Sequence, residues 1–124
     1  MQNVLLDTNA LVFYLTSFDR FGRKSIRTLD NSNLFFSPLS LIELKIKSLN
    51  GRFRGTVTAK DLIALGMKEL RIGSEVANEI VKLDTSDPFD LMLIAQSKSA
   101  GYSFMTSDSR ILESKLDFVL DLSD

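Results

Sequence analysis

The chain has 124 residues, 44% of them hydrophobic and 25% charged, with 15 basic residues against 16 acidic for a net charge of -1. That is the length and composition of one globular domain, residues 1–124, able to bury a core of its own. It contains no cysteine and no histidine, which excludes thiol nucleophiles, disulfides, Cys/His zinc sites and every imidazole base. Chemistry must then run on carboxylates, hydroxyls, amides and cations, a donor set suited to hard ions such as Mg2+ or Mn2+. The near-neutral balance leaves no global field to capture nucleic acid, so such binding would need a local basic patch. No apolar run approaches a membrane span and no signal-peptide pattern opens the sequence. With cysteine absent as well, a cytoplasmic protein without a membrane partner is expected.

Taken in chain order, Asn3-Val4-Leu5-Leu6 is a short apolar run that reads as a buried parallel strand. The stretch from Leu11 to Leu15 is apolar enough for core, or for a groove that takes a partner helix or a second copy. Leu34-Phe35-Phe36 predicts a second strand, stopped by Ser37-Pro38. Ser37 as N-cap and Pro38 at the first position open a helix whose apolar stripe is Leu39, Ile42, Ile46 and Leu49, ending near Gly51. Thr58 caps a helix through Leu62 and Ile63 to Gly66, and a weaker strand is read at Glu69 to Ile72. Ser74 is expected to cap a helix carrying Val76, Ala77, Ile80 and Leu83. Asp87-Pro88 opens another that stops at Gly101. Ser103-Phe104-Met105-Thr106 and Phe118-Val119-Leu120 complete the strands. Strands alternating with amphipathic helices predict an α/β fold, a three-layer α/β/α sandwich around a short, mainly parallel sheet. Ligands of such sheets bind beyond the carboxyl ends of the strands.

Four acids fall where that rule points. Asp7 directly follows the first strand, and Asp108 follows the Ser103–Thr106 run after one residue. Glu43 stands about 100° round its helix from Ile42, flanking the stripe. Asp90 lies in the first turn of the helix opened by Asp87-Pro88. Each also has a plain structural use. Asp7, Asp90 and Asp108 suit helix starts, and Glu43 with Lys47 is a favourable i,i+4 ion pair. Basic residues cluster at Arg20, Arg23, Lys24 and Arg27, and again at Lys45, Lys47, Arg52 and Arg54 beyond Glu43. The second cluster is the better candidate for neutralising nucleic-acid phosphates, because it continues from a helix bearing one of these acids. Phe13, Tyr14, Phe18, Phe21 and Phe53 suit core or interface better than base stacking.

The segments Leu5-Leu6-Asp7-Thr8-Asn9-Ala10-Leu11, Ser40-Leu41-Ile42-Glu43-Leu44-Lys45-Ile46-Lys47, Asp87-Pro88-Phe89-Asp90-Leu91-Met92-Leu93-Ile94-Ala95-Gln96 and Met105-Thr106-Ser107-Asp108 together resemble the PIN-domain ribonucleases. Within these they are similar to VapC-type toxins of toxin–antitoxin pairs. The resemblance implies a PIN-like fold and Mg2+- or Mn2+-dependent endoribonuclease activity. It implies that Asp7, Glu43, Asp90 and Asp108 are the catalytic, metal-binding acids, and that Asn9 and Thr106 line their pocket. It also implies an RNA substrate, a cognate antitoxin and a homodimer. Asp7 and Asp90 are read as the central ligands, with Asp108 and Glu43 acting through water or on a second ion. The chain departs from the family at Thr85-Ser86, where His-Arg is common, and at Leu91, where Arg is common. Neither site supplies a ligand in that pattern, so the departures bear on substrate contacts. The competing reading is a catalytically silent PIN-fold binding module. A phosphate-accepting receiver domain and a haloacid-dehalogenase-like phosphatase fit poorly, because Asp7-Thr8-Asn9 lacks the paired acids either would need.

Overall fold

A computed structural model describes residues 1–85 and 87–124. Ser86, one of the two departures before Asp87, lies outside the described residues. Five strands, β1 (Gln2–Leu6), β2 (Ser32–Phe36), β3 (Lys68–Glu69), β4 (Ser103–Thr106) and β5 (Val119–Asp121), form one sheet in the order β3-β2-β1-β4-β5. Every pairing is parallel, with Leu5 opposite both Phe35 and Phe104. The expected α/β fold with its parallel sheet is therefore present.

The strand runs read as continuously apolar because both faces are covered. Along β1, Val4 and Leu6 turn to one side and Leu5 to the other, as period-two geometry requires. The first side packs Val4, Leu6, Phe36 and Met105 against Ala10, Leu11, Phe21, Leu29 and Leu62. These belong to α1 (Thr8–Thr16), α2 (Arg23–Asp30), α4 (Ala59–Ala64) and the turn at Phe21. The second side packs Leu5, Phe35 and Phe104 against Leu39, Leu93, Ile94 and Ile111. These come from α3 (Pro38–Leu49), α5 (Pro88–Ala100) and α6 (Ser109–Glu113). Phe13, Tyr14 and Leu15 of the long apolar run pack against the first cluster, so its core reading holds. Tyr14, Phe18 and Phe21 pack ring against ring, and Arg20 lies over Phe13 at 4.6 Å.

Helix boundaries follow their caps. Ser37 accepts from the Leu39 amide, and Thr58 forms a capping box with Asp61. Asp87 accepts from the Phe89 amide, and α5 stops where Gly101 takes φ 72°.

Three sequence expectations need correction. The stripe on α3 is not the buried face: Leu39 is covered, but Ile42, Ile46 and Leu49 are 50%, 43% and 74% exposed. The helix instead turns Leu39, Ser40, Glu43 and Leu44 inward, because Ser40 and Glu43 have polar partners at the end of the sheet. Second, Ser74–Glu79 is a 3-10 helix with Ser74 inside it, not a capped α-helix reaching Leu83. Only Val76 of this segment is buried, too little burial to sustain a longer amphipathic helix. Third, the weak strand is the two-residue β3, earlier than the Glu69–Ile72 run. No helix among the described residues is long and apolar enough to cross a membrane.

Candidate active site

The strand order reverses at β1, whose neighbours are β2 and β4, and an open crevice forms at such a switch point. Asp7 directly follows β1, and its amide still donates to the Met105 carbonyl at 3.1 Å, extending the β1–β4 ladder. Asp108 lies just beyond β4 and caps α6. Helices α3 and α5 bring Glu43 and Asp90 to the same place. A polar hollow of about 140 Å³ is lined by Asp7, Glu43, Asp90 and Asp108, with Asn9 and Asp87 on its walls. Thr8, Lys47 and Arg110 complete it. The four acids singled out in the sequence therefore share one hollow.

Their structural uses are real as well. Asp7 is the N-cap of α1, with one carboxylate oxygen accepting from the Ala10 amide at 2.7 Å. Its other oxygen accepts from the Thr106 hydroxyl at 2.5 Å, and the same hydroxyl accepts from the Asp108 amide at 3.0 Å. Thr106 thus ties the two strand-end acids together. It is wholly buried and reaches the hollow through Asp7 and Asp108, which line it. Asn9 lines the wall as expected. Capping by Asp7, Asp87 and Asp108 aims three helix N-termini at the crevice, and their partial positive charge favours anionic groups there.

Glu43 is buried, and its neighbours explain how that is tolerated. One oxygen lies 2.6 Å from the Thr8 hydroxyl, which is itself 3.0 Å from the Ser40 hydroxyl. The other meets Lys47 Nζ at 2.9 Å. The expected i,i+4 pair is therefore present, but built into the pocket wall. Arg110 approaches Asp108 at 3.5 Å.

Asp7 and Asp90 have the weakest compensation. Burial, less two hydrogen bonds, pushes Asp7 from 3.8 to about 7, and the charges of Asp90 and Asp108 push the same way. Asp90 rises to about 6 through burial, then repulsion from Asp87, Asp108 and Glu43, while a 3.4 Å contact from the Thr85 hydroxyl lowers it. Both carboxylates resist ionising beside one another, which is the situation a cation relieves.

Thr8, Ser40, Thr85, Asp87 and Arg110 were not singled out as site residues. Asp87 was read only as a helix opener, although its i,i+3 spacing to Asp90 puts both acids on one helical face. Thr85, at a departure from the family pattern, is buried and also accepts from the Asp87 amide at 3.2 Å. The basic cluster beyond Glu43 divides. Lys47 lines the hollow, and Arg52 lines a groove beside it. Lys45 faces a separate hollow with Leu41, Leu44 and Phe53, since it stands about 200° round α3 from Lys47. Arg54 lines neither the acid hollow nor that groove.

As to a metal, the donors fit a hard cation in kind: they are all oxygens, and burial with mutual repulsion raises two of the carboxyls, a strain that a cation would relieve. No trio of acids among the described residues is drawn tightly enough to hold an ion by itself.

The family model described as PIN domain matches residues 4–115. The chain belongs to the PIN-domain family, a family of nucleases, and the resemblance carried by the acidic segments holds at that level. Its fold is similar to that of VapBC-1 from nontypeable Haemophilus influenzae, with TM-score 0.70, 15% identity, and coverage of 99% of this chain and 100% of that one. VapBC2 from Rickettsia felis, solved bound to a DNA fragment from its promoter, gives 0.68 at 11% identity, covering 97% and 98%. DNA-bound VapBC from Salmonella typhimurium gives 0.64 at 19% identity, covering 98% and 99%. No curated protein matches the chain in sequence.

Proposed function

We propose that this chain, a single PIN-type unit over residues 1–124, is a divalent-metal-dependent endoribonuclease and the toxin of a toxin–antitoxin pair. The observation that carries the reading is the convergence of Asp7, Glu43, Asp90 and Asp108 on one hollow at the sheet's switch point. Asp7 and Asp90 would hold Mg2+ or Mn2+, with Asp108 and Glu43 acting through water or on a second ion. When bound, the metal supplies an acidified water and neutralises charge on the phosphate. The chain's own residues do the rest. Thr106 and Thr8 fix the Asp7 and Glu43 carboxylates. Thr85 and the capping of α5 fix Asp90 and Asp87. Lys47 and Arg110 stand at the rim, where a phosphate would enter.

An antitoxin partner is favoured by the fold's likeness to toxins solved in VapBC complexes. A homodimer is favoured by the exposed Ile42 and Leu49, which lie outside the acid hollow. Cytoplasmic residence agrees with the lack of cysteine.

The test is cleavage of a mixed tRNA, rRNA and mRNA pool by purified protein with Mg2+, with Mn2+ and with EDTA, beside Asp7→Asn prepared identically. Metal-dependent cutting lost in the variant is the expected result. Cutting that persists in EDTA or in the variant marks a contaminant. No cutting by the native protein favours the silent binding module.

A further inference from the structure

The crevice continues past the acids. Glu43, Lys47, Asp87 and Arg110 also form the near wall of a larger groove of about 390 Å³. Ile46, Pro88, Phe89 and Arg52 supply the remainder, and here the chemistry changes. The acid hollow is polar throughout, whereas this groove places an aromatic ring and two aliphatic side chains beside cations. Phe89 also packs against the core cluster of Leu93, Ile94 and Phe104, so this part of the groove lining is anchored to the core. Ile46, also in the lining, is 43% exposed. Two of the cations are engaged by acids, Lys47 by Glu43 and Arg110 by Asp108. Arg52 is exposed and makes no ion pair among the described residues.

We propose that this groove seats the nucleotide next to the bond to be cut, its base against Phe89, Pro88 and Ile46 and its phosphate drawn by Arg52. The inference rests on the nuclease reading of the adjoining hollow. It adds the residues that take the neighbouring nucleotide: Phe89, Pro88 and Ile46 can pack only on an unpaired base, and Arg52 stands free for its phosphate. The occupant follows from charge and continuity. A groove sharing a wall with a phosphodiester-cutting site, and presenting a cation without an acidic partner, matches a chain with one phosphate per base. An aromatic ring accepts any base, because every base has a π-face.

The test measures binding of a labelled single-stranded RNA of mixed sequence. The Asp90→Asn background is used, so that the strand remains uncut, and salt is titrated throughout. Arg52→Gln should weaken binding severalfold and lower the salt slope by about 0.7, the loss of one phosphate contact on a single strand. Phe89→Leu should weaken binding about tenfold with the slope unchanged, Phe89→Tyr should restore it, and the matching duplex should bind about tenfold more weakly than the strand. Melting curves accompany each variant. Should Phe89→Leu prove unstable, Arg52→Gln decides alone, since Arg52 is exposed. If the native protein cuts RNA yet both variants bind as the parent does, the groove proposal is overturned and the nuclease reading stands. If the substitutions change only the sedimentation of the protein, the groove belongs to a second copy and the proposal is again overturned. If the native protein neither binds nor cuts any RNA, the nuclease reading fails and takes this inference with it.

Discussion

Replacing Asp7 by asparagine removes a charge and almost nothing else. The amide keeps an oxygen for the Ala10 N–H, so the cap of α1 survives. In the native protein the carboxyl ionises at about 7 instead of 3.8. The folded state therefore holds its proton more tightly than the unfolded chain does. Such a group leaves stability intact below pH 4 and withdraws it as pH rises from about 4 to about 7, after which the loss is constant. The loss amounts to about 4 kcal/mol at pH 8 in metal-free protein. Asparagine avoids it; the Thr106 bond is already included in that shift, and the cost that remains is a buried amide NH2 facing the Thr106 hydroxyl, about 2 kcal/mol. The expected net gain is about 2 kcal/mol, or roughly 8 °C in melting temperature for a domain of this size. Thermal melts in EDTA at pH 8 and pH 5 check it: the variant should melt higher at pH 8, with the gap closing toward pH 4. A variant that melts lower than the native protein at pH 8, or differs from it equally at both pH values, would refute the burial argument.

Other predictions follow the same reasoning. Asp90→Asn should also raise the metal-free melting temperature, but by less than Asp7→Asn, because Asp90 is half-buried and solvent screens its repulsions; a lower melting temperature in EDTA would mean that the carboxylate mainly supports α5. Thr85→Val removes the hydroxyl that holds Asp90 down. It should move the acid limb of the pH–rate profile upward by a few tenths of a pH unit, read from cleavage rates across pH. Gly22→Ala should lower the melting temperature by several degrees and speed proteolysis near Asp124. An added Cβ would sit 2.0 Å from the Asp124 carbonyl oxygen, and Gly22 binds this end of the chain through its N–H to the Leu122 carbonyl.

What could be read in the sequence was whatever short-range chemistry sets alone. The run Ser103–Thr106 is a strand because four residues with both faces to cover have little alternative, and Asp87, Pro88 and Gly101 fix both ends of α5. The acids at strand ends were legible because the switch-point rule needs only strand order and polarity. The face of α3 was not legible. Leu39, Ile42, Ile46 and Leu49 make the better hydrophobic stripe, yet the helix buries Ser40 and Glu43 because Thr8, on α1, offers them hydrogen bonds. No local pattern announces a partner about thirty residues away. The bond from Thr106 to Asp7 was not legible either, since it depends on the register that sets β4 beside β1. Lys45 illustrates the opposite error: neighbours in sequence are not neighbours on a helix, and two positions separate it from Lys47 by about 200°.

The most direct measurement of the central claim is the cleavage rate of one mapped RNA by native protein, Asp90→Asn and Lys45→Ala in Mg2+. Lys45 faces away from the acids and serves as the control. Asp90→Asn should lose at least about a thousandfold in rate while Lys45→Ala cuts as the native protein does. An Asp90→Asn rate within about tenfold of native would contradict the claim, because the crowded carboxylates would then not be the groups that carry the reaction.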